Sequence, residues 1–579
     1  YKPIPVFHSS RGYMVFDNSS YRLRADVGKA NPQQYRLTQQ GPIFDYYFWI
    51  GPPEKALQSY TALTGRPILP PKWAFGEWMG RGGEAWRSGP LHNAVAQEES
   101  VARRFAGMDI PQSAIYAEGR SAFSPALNRF MAARDIKVLG YFMPAVHPAR
   151  QESLMPDVKL GQLPILHCGT ESETRKLGYI DFTDPKAVEL CRRWWKRGLD
   201  LGVAGSMVDY GDLVPEDAVF HNGRHGDEMH NFYYHDYQRA ISEVFQEKRG
   251  SDFILFARGA APGTQKWVGQ FAGDHPSNFD GVKAVLTGGL NLCACGFSNW
   301  GSDLGGYFGA PEPAVYIRWM QLGLFSPLMR WHGKAPREPW HYGKKAVEIY
   351  KFCAWVRENL LNYIYNSAIA AHESGRPIIR SMAIAFPNAR SLAAIRDQYM
   401  FGEDLLVAPV INEYNFRTIS FPSGVWTSLW NGKTVSGPAT VKVQVPLDTI
   451  PVYLRQGSAM PVELNQALQF GKSMSNSRTH ALIVTPPLQN QKVSHRDVAV
   501  ESTAQGFRCT IENLPETSYL LVYGTIRASA VRVDGNILPK RSESQLDLTL
   551  PGWRSDQAGS RLIIRLPPIR KQVEVDTIV

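Results

Sequence analysis

Val203-Ala-Gly-Ser-Met-Val-Asp209-Tyr-Gly-Asp212 is an apolar run of strand length that stops at a carboxylate. A buried parallel strand ending this way delivers Asp209 to the rim of a sheet or barrel, where it meets ligand instead of core. The pattern recurs in Trp267-Val-Gly-Gln-Phe-Ala-Gly-Asp274, followed by His275 and Pro276. Two strand-end aspartates on one rim suit the cleavage of an acetal. One serves as nucleophile or base, and the other gives a proton.

Working outward, apolar strand candidates fall at 73–78, 113–118, 137–142, 203–209, 253–258, 267–274, 292–298 and 377–385. Most are separated by amphipathic stretches of helix length, as at 91–106, 185–199, 229–248 and 313–324. Alternating β and α units imply a parallel sheet, and eight repeats imply an α/β fold closed as a (β/α)8 TIM barrel. The segments 143–179 and 298–313 read as loops over the rim. Residues 1–52 read as the tail of an N-terminal β-sandwich whose other strands lie elsewhere, and the barrel is expected over 53–390. Turn-rich short strands then predict a proximal C-terminal β domain at 391–462 and a distal β-sandwich at 463–579.

A chain of 579 residues is too long for one core, which agrees with several domains. Its 12% aromatic content suits sugar faces stacking on rings, and large cores use rings equally well. The net charge of +10 is spread along the chain and leaves no nucleic-acid footprint. No run of apolar residues is long enough to span a membrane. Six scattered cysteines give neither a disulfide framework nor zinc spacing. Cys293 and Cys295 would share one face of a strand as buried thiols. His225, Asp227, Glu228 and His230 are close in sequence but do not share a helix face, so no metal and no cofactor is expected. The single sequon Asn18-Ser-Ser20 favours an extracellular or periplasmic setting. The chain opens on Tyr1, so a preceding segment of the same precursor is an expected partner of the first strands.

Several further stretches, in order, carry a family likeness. They are Tyr60-Thr-Ala-Leu-Thr-Gly-Arg-Pro67, Pro70-Pro-Lys-Trp-Ala74, Asp209, Arg258 with Gly273-Asp274, Asp303-Leu-Gly-Gly306, Arg318-Trp-Met-Gln321, and Phe325-Ser-Pro-Leu-Met-Arg330 with His332. Together they resemble glycoside hydrolase family 31, the retaining exo-α-glycosidases, over nearly the whole chain. The resemblance implies Asp209 as nucleophile, Asp274 as acid/base, and a small carbohydrate substrate. Met207-Val-Asp-Tyr-Gly-Asp212 departs from the Trp-x-Asp-Met-Asn-Glu pattern of α-glucosidases. It is similar to a divergent branch with sulfoquinovosidases and α-galactosidase-like members, although the insert that holds a sulfonate there is absent after the second barrel strand. A hydrolase of anionic α-glycosides and a non-catalytic sugar-binding protein are the two alternatives.

Taken singly, a strand-end Asp can merely cap a helix, but two in register with the family favour chemistry. Arg258 ends an apolar strand, so its charge must be paired or reach the rim, where it would orient Asp209. Asp303, Arg330 and His332 suit forked hydrogen bonding to ring hydroxyls. The resemblance puts Glu118 in place of an Asp that usually holds a sugar hydroxyl, and read by itself Glu118 pairs with Arg120 on a loop. Trp78, Arg81 and Trp86 would line the mouth or pack in the core.

Overall fold

The computed structural model describes residues 2–81, 91–146, 165–166, 178–512, 514, 516–524, 527–542, 550–556, 561–568 and 572–577. Its centre is a parallel sheet of nine short strands. They are β1 (Glu77–Arg81), β2 (Ala114–Ala117), β3 (Lys137–Phe142), β4 (Gly205–Val208), β5 (Ile254–Ala257), β6 (Gly269–Phe271), β7 (Trp300–Gly301), β8 (Asp303–Leu304) and β9 (Met329–Trp331). The sheet order is β7-β6-β5-β4-β3-β2-β1-β9-β8. Its two ends, β7 and β8, are separated only by Ser302, so the sheet curls round on itself as a (β/α)8-type TIM barrel.

Side-chain alternation builds the barrel. Trp78, Tyr116, Tyr141, Met207 and Phe256 share one core cluster. Their neighbours in sequence, Ala117, Phe142, Val208 and Ala257, pack into separate clusters with the helices. That period of two makes every strand buried on both faces, which is why each reads as a continuous apolar run. Helices Leu91–Gly107, Pro185–Asp200, Tyr233–Arg249 and Pro313–Leu324 follow strands as the periodicity implied.

Three strand expectations need correction. Residues 292–298 include the end of helix Phe279–Ala294, whose N-terminus Asn278 caps by accepting from Gly281 N at 3.0 Å. Its buried Val282, Val285, Leu286, Gly289, Leu290 and Cys293 repeat at helical spacing, and a short apolar window hides that period. Cys293 and Cys295 are therefore not alternating strand residues, and Trp300 Nε1 donates to the Cys293 thiol at 3.2 Å. Residues 377–385 contain Ile379–Ser381, which pairs antiparallel with Tyr399–Phe401 outside the barrel. The missing barrel strands are β7 to β9. The first two lie inside the segment 298–313 expected as loop, and at two residues each they are too short to leave a pattern. The 73–78 candidate begins as a 3-10 turn, Lys72–Phe75, before β1.

Before the barrel, Val6–Ser9, Tyr13–Asp17 and Tyr46–Ile50 form an antiparallel sheet, and Leu23–Val27 pairs with Tyr35–Gln39. Met14 and Phe16 pack on Ala56 and Tyr60 of helix Pro53–Thr64. After the barrel come a six-stranded sheet between Ile379 and Arg455 and two facing sheets between Ala459 and Thr577. Buried Arg318 fastens barrel to sheet, donating to Thr449 O and Val445 O at 2.8 Å each and to Gln321 Oε1 at 3.0 Å. The Arg318-Trp-Met-Gln321 stretch thus carries an interdomain joint. Among the described residues, no helix is long and apolar enough to cross a membrane.

Candidate active site

Asp209 follows β4 directly. Its backbone N–H extends the ladder to Phe142 O at 2.8 Å, which fixes the carboxylate at the strand's C-terminal end. The residue is 7% exposed. Oδ2 accepts from the Tyr141 hydroxyl at 2.8 Å and Oδ1 from Tyr210 N at 2.9 Å. Arg258 Nε stands 3.3 Å from the same Oδ1, and its Nη2 is 3.0 Å from Asp212 Oδ1. Tyr210 adopts φ +57° and Gly211 φ +97°, so the chain doubles back at once and brings Asp212 to Arg258. A tyrosine in the left-handed region costs about 1–3 kcal/mol, held here by the surrounding packing. The Arg258 guanidinium lies 4.1 Å from the Tyr210 ring centroid and contributes to that hold.

Asp274 stands three residues past β6. Burial raises its carboxyl above the usual range, and the Asp209 charge adds to the rise, while Arg258, Arg330 and His275 oppose it. The loop carrying it is fixed to the loop after β8: Tyr307 N donates to His275 O at 2.8 Å, and Ser277 N to Phe308 O at 3.1 Å.

Asp303 on β8 and Arg330 on β9 are register partners, and their side chains form a buried ion pair. Arg330 is ringed by Phe256, Phe271 and Tyr116 at 4.9, 5.2 and 5.5 Å. Burial pushes the Asp303 carboxyl up to about 7 against the pull of Arg330. Asp303 Oδ2, Arg330 Nη1 and Trp78 Nε1 are enclosed and hydrogen-bond to no described residue. Enclosed polar atoms of this kind call for a polar occupant. His332 Nε2 is 3.9 Å from Glu118 Oε2, with side-chain exposures of 4% and 8%. Tyr116 and Tyr307 flank the imidazole at 4.9 and 5.6 Å. Glu118 therefore faces His332. The Arg120 and Arg81 side chains and Trp86 lie outside the described residues.

The strand ends thus bring together Asp209, Arg258, Asp274, Asp303 and Arg330, with Glu118 and His332 as a second pair. Trp78 is wholly buried beside Phe256, 5.4 Å between rings, inside the barrel. Sequence reasoning missed Tyr141, the hydroxyl donor to Asp209. A tyrosine next to last in a strand was its only signal. It also missed buried Arg337, which holds the loops after β8 and β9 by donating to Gly309 O at 3.0 Å and His332 O at 3.3 Å.

The model of the glycosyl hydrolases family 31 TIM-barrel domain matches residues 67–367, and that of the family 31 C-terminal domain matches 375–460. The chain belongs to glycosyl hydrolases family 31. Alpha-xylosidase XylQ of Lactiplantibacillus pentosus is 32% identical over 511 residues, covering 79% of this chain and 63% of that protein. An isomaltosyltransferase of Sporosarcina globispora is 27% identical, covering 98% of this chain and 59% of its own. Among solved structures, the cycloalternan-forming enzyme of Listeria monocytogenes shares the fold. It superimposes with a TM-score of 0.89 at 21% identity, over 100% of this chain and 61% of that one. The family 31 chain described here thus spans about three fifths of the length of these relatives.

Proposed function

We propose that this family 31 chain hydrolyses terminal α-linked sugars by double displacement. Asp209 attacks the anomeric carbon while Asp274 protonates the departing glycosidic oxygen. Asp274, now a carboxylate, takes a proton from water as that water attacks the same carbon and the Asp209 ester breaks, so configuration is retained. The carrying observation is the contrast between the two aspartates. One is clamped by a tyrosine hydroxyl, a backbone N–H and Arg258, and the other is half-buried with its carboxyl raised above the usual range by burial and by the Asp209 charge. Asp303 and Arg330 would take ring hydroxyls with their unpaired atoms, and Glu118 and His332 would take the next ones.

The names of the relatives favour neutral sugars, xylose or glucose, as the terminal unit. Transfer of the sugar to another sugar hydroxyl is the second reading, favoured by the isomaltosyltransferase match along 98% of the chain. The test is a panel of aryl α-glycosides, gluco, xylo, galacto and sulfoquinovo, with the product anomer followed by proton NMR. The expected result is release of the α-anomer from the xyloside or glucoside. Release of the β-anomer, or cleavage of none of the four, would overturn the proposal.

A further inference from the structure

Tyr307 and Phe308 lie on the loop after β8, between Gly306 and Gly309, both at φ +81°. That loop is docked closely on the one that carries Asp274. A Cβ added to Gly306 would meet Ser277 Cα at 2.6 Å. Phe308 N donates to His275 O at 3.1 Å, Pro276 and Phe308 form a parallel bridge, and Ser277 Oγ donates to Gly309 O at 3.1 Å. Buried Arg337 holds the far side by donating to Gly309 O at 3.0 Å. The Phe308 backbone is thus fixed to the residue next to Asp274. The rings extend the same geometry. Tyr307 stands 5.6 Å from the buried His332 imidazole and 5.0 Å from Phe308, which is 49% exposed. This aromatic wall runs from His332, which faces Glu118, out to solvent. Lys334 N donates to Tyr307 O at 2.8 Å, and its exposed side chain brings the ammonium 5.2 Å from the Phe308 ring and 5.9 Å from the Tyr307 ring.

A single exposed phenylalanine is ordinary on a protein surface. This one is held rigid, and its place decides the reading. A group protonated by Asp274 as it leaves must lie beside the Asp274 loop, and Phe308 is hydrogen-bonded to that loop. We propose that Phe308 and Lys334 form the binding platform for the leaving group, and that this group is itself a sugar. The C–H face of a pyranose would cover the exposed ring, because polarised C–H bonds suit the electron-rich face of an aromatic. The Lys334 ammonium would donate to the hydroxyls at the edge of that sugar. A loop already held in place loses little freedom on binding, so more of the contact appears as affinity. The chain then selects α-linked oligosaccharides over glycosides with small leaving groups. The inference rests on the proposed function, in which Asp274 is the proton donor.

The test compares two kinds of substrate on the full chain. α-Glucosyl and α-xylosyl fluorides place no sugar on the leaving side, whereas maltotriose, isomaltotriose and α-xylosyl-1,6-glucose do. In Phe308→Ala, kcat/KM on the oligosaccharide that the parent cleaves best should fall roughly 10–100-fold, the range for truncating a ring at the centre of a contact. On the matching fluoride it should change by no more than about twofold. Phe308→Tyr keeps the ring and should hold the parent's rate on both. Lys334→Met should lose roughly 3–10-fold on the oligosaccharide alone, the size of one or two hydrogen bonds. An equal loss on both substrates in Phe308→Ala would make the ring a purely structural residue and overturn the proposal. So would an unchanged oligosaccharide rate, or a parent that cleaves a fluoride and none of the oligosaccharides. Fluoride cleavage by the parent that is absent in Asp209→Asn reads the proposed chemistry separately. A parent that left both fluorides intact would overturn that chemistry and this inference with it.

Discussion

Asp303 and Arg330 form a pair of which only one member can neutralise itself. In Asp303→Asn the guanidinium is left charged in a ring of Phe256, Phe271 and Tyr116, and it cannot shed its proton. Breaking a buried pair in that way costs about 3–5 kcal/mol. At about 2 °C per kcal/mol for a large domain, the unfolding midpoint should fall by roughly 6–10 °C. In Arg330→Met the orphan is Asp303, whose carboxyl already sits at about 7 and can take up a proton. The cost should then be nearer the 1–3 kcal/mol of an unsatisfied polar group. An acid held above its unfolded value of 3.8 contributes stability at low pH that is lost as pH rises through about 7. The deficit of Arg330→Met should therefore be smallest at the acid end and widen toward neutrality. The double variant replaces the pair with neutral side chains of similar size, and it should be more stable than Asp303→Asn alone. Thermal unfolding by tryptophan fluorescence reports on this directly, because Trp78 and Trp331 are buried in the barrel core. Equal, additive losses in the two single variants, unchanged by pH, would refute the reasoning.

Asp274→Ala should lose far more activity on a natural glycoside than on a dinitrophenyl glycoside, which leaves unaided, and azide should rescue the latter as an α-glycosyl azide. In the parent, kcat/KM on the natural glycoside should decline toward alkaline pH as the raised Asp274 carboxyl ionises, and this limb should be absent in the variant. Tyr141→Phe removes the hydroxyl donor to Asp209 Oδ2, and kcat/KM should fall roughly 10–100-fold, equivalent to about 1.5–3 kcal/mol for a hydrogen bond to a charged group. Arg318→Met strands Thr449 and Val445 carbonyls at the interdomain joint, so limited proteolysis should release the β-rich C-terminal part sooner than in the parent.

The barrel was legible because its strands are buried on both faces, so 137–142, 203–209 and 253–258 each read as an apolar run, and the last two end on the candidate site residues Asp209 and Arg258. Legibility failed where strands shrink to two residues. Trp300–Gly301 and Asp303–Leu304 are set by pairing across the closed sheet, which leaves no local periodicity. It failed again at 292–298, where helical spacing needs a window longer than the run to show itself. Site carboxylates and arginines stood out because charge at the end of an apolar strand is costly unless used or paired. Tyr141 did not, because a tyrosine is an ordinary strand residue and only the folded chain reveals that its hydroxyl reaches Asp209.

The central claim is that Asp209 forms a bond to the sugar, and a trapped intermediate tests it most directly. The chain would be incubated with 5-fluoro-α-xylosyl and 5-fluoro-α-glucosyl fluorides, which slow both steps and let the ester accumulate, and then digested and mapped by mass spectrometry. The expected result is one glycosyl unit on the peptide carrying Asp209, with no adduct in Asp209→Asn and no loss of its folded circular-dichroism spectrum. A glycosyl unit on Asp212 or Asp274, or an adduct that persists in Asp209→Asn, would contradict it.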